Sequence, residues 1–230
     1  MGSARNSPYS KYYPNLIVSL YFGKGDGEIF LINDPEKNVN KMVTCIDIST
    51  LYQEKRGSAV QMIQILSSFK HENLVTIDKY WIVPNYLIFV EMEAPDPVSQ
   101  WKSFCKQNLS IDELLHVLNQ VVKGLGFLHE QNYVHRDVHP SRIQQFAGGL
   151  VKFNTVGLPY NFKKLLRRND FSGHVNYSAP ELILEKTSFS EKIDIWALGC
   201  CIYFMFNKCD PFEGKDPQVI KHKILNFNMS

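Results

Sequence analysis

The chain has 230 residues, with 25 basic and 23 acidic side chains and a formal net charge of +2. This length is enough for one two-lobed domain or two small domains with a real hydrophobic core. The near balance of charge gives no indication of nucleic-acid binding or of an acidic substrate. The longest strongly apolar run, residues 195–206, is too short to cross a bilayer and predicts a buried helix.

The N-terminus has no apolar segment typical of a secretory signal, and the polar residues 1–11 are expected to be disordered. The number of cysteines is odd, and none of them forms a C-x-x-C pair. We interpret them as reduced thiols of an intracellular protein and expect a cytoplasmic location. The cysteines are Cys45, Cys105, Cys200, Cys201 and Cys209.

The first hundred residues predict mainly strands and one helix. Strand-forming stretches separated by turn signals occupy residues 16–20, 28–32 and 42–48. Apolar residues recur about once per turn over residues 52–69, which predicts a helix. Residues 80–83 and 86–92 are predicted to form a hairpin.

The remaining chain predicts helices. Residues 93–97 contain two prolines and two acids and resemble a linker. Ser110 and Glu113 form a capping box at the start of a helix with a strong 3.6-residue period. A long irregular segment over residues 155–181 is followed by two further helices. These are predicted over residues 190–206 and from Asp216, the N-cap, with Pro217 as the first helical residue.

Five motifs then occur in the order of the protein-kinase signature set. They are Gly23-Lys24-Gly25-Asp26-Gly27, His71-Glu72-Asn73-Leu74-Val75, His135-Arg136-Asp137, Ala179-Pro180-Glu181 and Asp194-Ile195-Trp196-Ala197-Leu198-Gly199. From about residue 12 onward, the chain is therefore similar to the eukaryotic protein-kinase superfamily, and specifically to its serine/threonine kinases. Because several charged positions differ, it resembles the degenerate members called pseudokinases.

The resemblance implies an α+β, bilobal fold. A β-rich N-lobe would cover residues 12–92, a hinge residues 91–97 and a helical C-lobe residues 98–230. Because the family normally has further helices, we expect the C-lobe to be truncated. Asp194 would bind the backbone of the His-Arg-Asp turn from the central helix of that lobe.

The resemblance also assigns candidate site residues. Asp137 stands at the position of the catalytic base, and we interpret it as vestigial. The ATP-cleft positions, which we regard as degenerate, are Gly23, Gly25, Gly27, Ile29, Glu91 and Met92. The glycine-rich stretch is one residue short, so a plain hairpin turn explains it equally well.

Four positions that handle charge in the family carry other residues here. Asp47 aligns with the lysine that holds the phosphates, unless it points to solvent on a shifted strand. Met62 aligns with the partner glutamate of that lysine. Arg142 and Thr155 replace the two magnesium ligands, and neither supplies an anionic oxygen. Asn154, one residue out of register, would be at best a weak ligand.

Two functions follow from these substitutions. The favoured one is a pseudokinase that acts as a scaffold or allosteric partner, with little or no phosphoryl transfer. The alternative is an active or weakly active ATP-dependent serine/threonine kinase that uses Asp137 as its base. For the pseudokinase we expect no cofactor, with ATP binding without strong magnesium dependence left open. The expected partner is a protein, an active kinase being one candidate, and neither nucleic acid nor membrane.

Overall fold

The computed structural model describes residues 17–22, 27–34, 39–49, 51–84, 86–94, 108–154, 175–184 and 190–227. The segment 1–11, predicted to be disordered, lies outside these ranges. The chain divides into two compact units. The first contains the described residues up to 70 together with 75–94, and the second contains residues 71–74 and all described residues from 108 onward.

The first unit is built on a five-stranded antiparallel sheet. Its strands are β1 (Ile17–Phe22), β2 (Gly27–Asp34), β3 (Val39–Asp47), β4 (Ile77–Val83) and β5 (Leu87–Glu93). They lie in the order β1-β2-β3-β5-β4. The predicted strands are confirmed, because β-branched and aromatic residues favour the pleated backbone. Strand β4 begins earlier than the predicted residue 80, with polar residues that are tolerated on an edge strand.

One face of this sheet carries an apolar cluster. Its buried members are Phe30, Ile32, Val43, Cys45 and Phe89, with Trp81, Val83 and Leu87 packed against them. Because side chains alternate along a strand, the residues of β3 directly before and directly after Cys45 point to the opposite face. That opposite face contains Thr44 and Ile46, and both side chains are buried.

Helix α1 (Gln53–Ser68) completes the first unit and packs against β4. Its buried residues Ala59, Ile63 and Leu66 follow one another at three- and four-residue intervals, as expected for one helix face. None of the described residues of α1 belongs to the apolar cluster around Phe89. We therefore place α1 on the sheet face that carries Thr44. The predicted helix over residues 52–69 is confirmed to within one residue at each end.

The second unit is mainly helical. Its elements are α2 (Ile111–Glu130), β6 (Ile143–Gln145), β7 (Val151–Phe153), α3 (Pro180–Ile183), α4 (Lys192–Asn207) and α5 (Pro217–Leu225). Strands β6 and β7 form a short antiparallel hairpin, with Ile143 opposite Phe153. Single 3-10 turns at Pro140–Arg142 and Val175–Tyr177 connect the elements.

The predicted helix starts of this unit are confirmed. The Glu113 amide donates to Ser110 Oγ at 3.3 Å, and the Ser110 amide donates to Glu113 Oε2 at 2.8 Å, so the capping box is complete. Asp216 caps α5 by accepting hydrogen bonds from the amides of Gln218 and Val219. These caps satisfy amides that have no partner inside their own helix.

Residues 71–74 are fixed to α2 and β7 by a buried asparagine. Asn73 Nδ2 lies 3.0 Å from both Gln120 Oε1 and the Val151 carbonyl oxygen. The Asn73 backbone approaches α2 so closely that a Cβ on Gly124 would lie 2.6 Å from the Asn73 carbonyl oxygen. A glycine is therefore required at position 124 for the two segments to touch.

Helix α4 differs from its prediction. The sequence predicts a buried helix, but only one face of α4 is buried, the face that packs against the turn Val175–Tyr177. Ile195, Tyr203 and Phe206 on the other face are about half exposed, at 54%, 44% and 53%. No helix within the described ranges is both long enough and apolar enough to cross a membrane.

Candidate functional site

Only part of the predicted ATP cleft lies within the described residues. Gly23 and Gly25 lie outside them, and Gly27 and Ile29 are in β2, paired with Ile46 and Thr44 of β3. At the end of β5, the Glu91 carboxylate accepts from Lys79 Nζ at 3.1 Å. Met92 is fully buried and lies opposite Met42. These positions remain predictions as nucleotide contacts.

The register of β3 places Asp47 away from the helix. Asp47 has the same strand parity as Cys45, so it belongs to the sheet face opposite α1. Its carboxylate accepts a hydrogen bond from the Ser49 amide at 2.8 Å, which is a local turn interaction. A lysine that pairs with a glutamate of α1 must lie on the face covered by α1. Thr44 and Ile46 of β3 lie on that face and Asp47 does not, so this geometry favours Thr44 or Ile46 over Asp47 at the lysine position.

Thr44 has the environment of an interior residue. It is 0% exposed and lies opposite Val90 of β5. Its hydroxyl has no hydrogen-bond partner among the residues that the structure describes. Whether Thr44, Ile46 or Asp47 occupies the lysine position, the residue supplies no cation for a phosphate.

The second unit holds Asp137 in a buried ion pair with Arg142. Arg142 Nε donates to Asp137 Oδ2 at 2.8 Å, and Arg142 Nη2 donates to the same oxygen. His139 Nε2 lies 3.5 Å from this oxygen. The side chains of Asp137 and Arg142 are only 9% and 12% exposed, so water screens the pair weakly.

This pairing determines the protonation of Asp137. Burial by itself raises the pKa of a carboxyl group, but the Arg142 guanidinium and the neighbouring His139 outweigh burial and hold the Asp137 pKa well below its usual range. A carboxylate with a depressed pKa is a weak proton acceptor. The geometry therefore favours Asp137 as the ion-pair partner of Arg142 over Asp137 as a proton acceptor.

Asp194 binds the turn that carries Asp137, as the resemblance implied. Its carboxylate accepts from the His135 amide at 2.7 Å and from the Arg136 amide at 2.8 Å, and it lies 2.9 Å from His129 Nε2. Arg136 has a φ of 67°, which is uncommon for a residue with a Cβ. The two hydrogen bonds that these amides donate to Asp194 of α4 hold the turn in this conformation.

His135 connects the same turn to the strand that follows. Its Nδ1 accepts from the Asp137 amide at 3.2 Å, so Nε2 carries the proton that is donated to the Asn154 carbonyl oxygen at 3.0 Å. Burial lowers the pKa of His135, which keeps the ring neutral. Asn154 Oδ1 is buried without a partner among the described residues, whereas Thr155 lies outside them.

Sequence reasoning missed one polar cluster. Tyr177 Oη donates to Asp210 Oδ1 at 2.5 Å, and Asn176 Nδ2 donates to Asp210 Oδ2 at 2.7 Å. Burial and the bond to Asp210 raise the pKa of the Tyr177 hydroxyl, and burial with the nearby Asp210 raises that of Cys200 to about 12. The Tyr177 hydroxyl and the Cys200 thiol therefore stay protonated near neutral pH.

Comparison with known proteins identifies the class. The family model described as "Protein kinase domain" matches residues 22–229. The structure labelled "Crystal structure of Rad53 1-466 in complex with AMP-PNP" aligns with 92% of this chain and 53% of that chain, with a TM-score of 0.73 and 20% identity. The chain belongs to the protein kinase family and has its fold, with an antiparallel-sheet N-lobe and a helical C-lobe.

Curated relatives are kinases of moderate similarity. Mouse serine/threonine-protein kinase Nek4 is 26% identical over 88% of this chain and 26% of its own length. Zebrafish striated muscle preferentially expressed protein kinase is 26% identical over 92% of this chain and 7% of its own length. Mitogen-activated protein kinase 3 of Arabidopsis thaliana is 28% identical over 90% of this chain and 56% of its own length. The chain thus spans a minor part of the first two relatives and about half of the third.

Proposed function

We propose that this protein kinase domain is a pseudokinase that acts by binding a protein partner, as a scaffold or allosteric partner, and transfers little or no phosphate. The ion pair between Asp137 and Arg142 carries the proposal. In active kinases, the aspartate at this position accepts the proton of the substrate hydroxyl. An efficient base has a pKa near the working pH, and Arg142 moves the Asp137 pKa in the opposite direction.

Arg142 also supports the proposal through metal chemistry. It aligns with the asparagine that binds magnesium in active kinases. A guanidinium has no lone pair for a metal, and its positive charge repels one. The residues at this position do not fit magnesium, and we propose that any ATP binding has no strong magnesium dependence.

The first unit supports the proposal independently. The lysine position carries Thr44, Ile46 or Asp47, and the partner position on α1 carries Met62. Electrostatic stabilisation is usually the largest catalytic contribution, and loss of one donor commonly costs about a hundredfold or more in rate. Neither position can hold a phosphate through a cation.

The second candidate function is an active or weakly active serine/threonine kinase. It is supported by the similarity to mouse serine/threonine-protein kinase Nek4 and by the aspartate retained at position 137. This function requires Asp137 to leave Arg142 before it accepts a proton. We propose that the partner is a protein, such as an active kinase, and that the location is cytoplasmic. Both proposals rest on the sequence alone.

Phosphate transfer tests the proposal directly. The wild-type chain, Asp137→Asn and the surface variant Glu72→Gln are incubated with radiolabelled ATP, magnesium and a general protein substrate. We expect all three to remain at background. Transfer by the wild type and by Glu72→Gln that disappears in Asp137→Asn would establish the enzyme and overturn the pseudokinase proposal.

A further inference from the structure

The ion pair between Asp137 and Arg142 belongs to a larger hydrogen-bonded unit, which we call the 135–154 module after its residues. The Arg142 amide donates to the His139 carbonyl oxygen at 2.9 Å within the 3-10 turn. The Arg142 carbonyl oxygen accepts from the Asn154 amide at 2.9 Å. The Asn154 carbonyl oxygen accepts from His135 Nε2 at 3.0 Å.

These contacts close a ring through the module. His135 accepts from the Asp137 amide, Asp137 binds the Arg142 guanidinium, and Arg142 binds the Asn154 amide. Asn154 then accepts from His135. The ion pair is the side-chain contact that joins the loop before the 3-10 turn to the residue after it. Breaking it opens the ring on the loop side.

A buried ion pair seldom increases stability over a well-packed apolar pair, because both charges lose their water. In some proteins such a pair restricts the arrangements that the chain can adopt, since a buried charge without its partner is strongly unfavourable. Here one oxygen of Asp137 receives both Arg142 donors.

We propose that the Asp137–Arg142 ion pair is a built-in organiser that orders the 135–154 module in the absence of nucleotide and metal. The inference deepens the proposed function and rests on it for the statement that no nucleotide is required. A loop ordered in this way would present the same surface to a partner whether or not ATP is available. The ion pair would then keep the partner-binding surface ordered in a protein that acts by binding.

Amide hydrogen exchange measured by NMR tests the organiser. Rates at Asp137, Arg142 and Asn154 are divided by the rates at Val117 and Val121 of α2, which belong to the same unit and correct for global stability. The variants are Arg142→Met and the apolar double variant Asp137→Leu with Arg142→Met. Lys41→Met, which breaks the more exposed pair with Asp78, is the matched control.

We expect the ratio of module to α2 exchange rates to rise about a hundredfold in Arg142→Met, which leaves the buried Asp137 carboxylate unpaired. In the double variant we expect this ratio to rise about tenfold. The control and the addition of ATP with magnesium to the wild type should leave it unchanged. If Arg142→Met does not fold, the double variant alone decides.

If the exchange-rate ratio of the double variant equalled that of the wild type, the proposal that the ion pair orders the module would be wrong. The rest of the fold would then order the module by itself. An equal rise in Lys41→Met, or a marked fall on adding ATP and magnesium, would overturn the proposal too. Phosphate transfer by the wild type with the expected exchange pattern would instead refute the proposed function and leave the organiser in place.

Discussion

Replacing Asp194 by asparagine is expected to destabilise the second unit more than any surface change. Asp194 is 1% exposed and accepts hydrogen bonds from the amides of His135 and Arg136 through different oxygens. Asparagine keeps the shape but replaces one acceptor oxygen by an NH2 group. One of the two amides then faces a donor in place of an acceptor.

The size of the effect follows from these contacts. A hydrogen bond to a charged group contributes about 1.5–3 kcal/mol, and a buried donor left without a partner costs about 1–3 kcal/mol. We expect Asp194→Asn to lower the free energy of unfolding by about 3–5 kcal/mol. With a urea m-value near the upper end of the usual range, about 2–3 kcal/mol/M, the midpoint falls by about 1–2.5 M.

Urea unfolding at neutral pH, followed by far-ultraviolet circular dichroism, measures this midpoint. Glu72→Gln serves as the control, because Glu72 is an exposed acid of the same unit. The control should unfold within about 0.3 M of the wild type, since surface substitutions change stability little. A midpoint for Asp194→Asn equally close to that of the wild type would refute the anchoring role of Asp194.

Four further substitutions, one of them a control, have clear expected outcomes. Gly124→Ala should lower the free energy of unfolding by about 2–4 kcal/mol, because the added Cβ meets the Asn73 backbone. Gly126→Ala, the control, has open space around the added Cβ and should raise the free energy of unfolding by up to about 1 kcal/mol. Equal effects of the two substitutions in urea unfolding would contradict the close approach of Asn73 to α2. Ser110→Ala should cost about 1 kcal/mol by the same assay, and no loss would contradict the capping box. The lowered pKa of buried His135 means that the unfolded chain binds a proton that the native chain does not, so stability should fall as the pH drops below about 6.5. His135→Asn should flatten this part of a melting-temperature profile, and an unchanged slope would contradict the assignment.

The elements that sequence patterns predicted well are those whose signal is local. The helix after Ser110 combines a capping box with a long apolar period, and both features act within a few residues. The five-stranded sheet and the hydrogen bonds of Asp194 were implied by ordered motifs. The exposed face of α4 was not predicted, because composition alone cannot show which side of an apolar helix meets another element.

The contacts within the site depend on pairing that no local pattern contains. The alignment that placed Asp47 at the lysine position contains no information on the parity of β3, which its pairing with β5 sets. Arg142 was recognised as a substitution, but its bond to Asp137 depends on the 3-10 turn between them. The bond between Tyr177 and Asp210 joins residues 33 positions apart, with no motif at either end.

The magnesium dependence of ATP binding tests the central claim most directly. Melting temperatures are measured with saturating ATP, with and without magnesium. A ligand at a hundred times its dissociation constant stabilises by about 2.7 kcal/mol, which corresponds to about 5–10 °C for a chain of this size. Because Arg142 occupies the metal-ligand position and already binds Asp137, we expect magnesium to change the melting temperature by less than about 1 °C. A magnesium-dependent rise of about 5 °C or more would contradict the pseudokinase proposal.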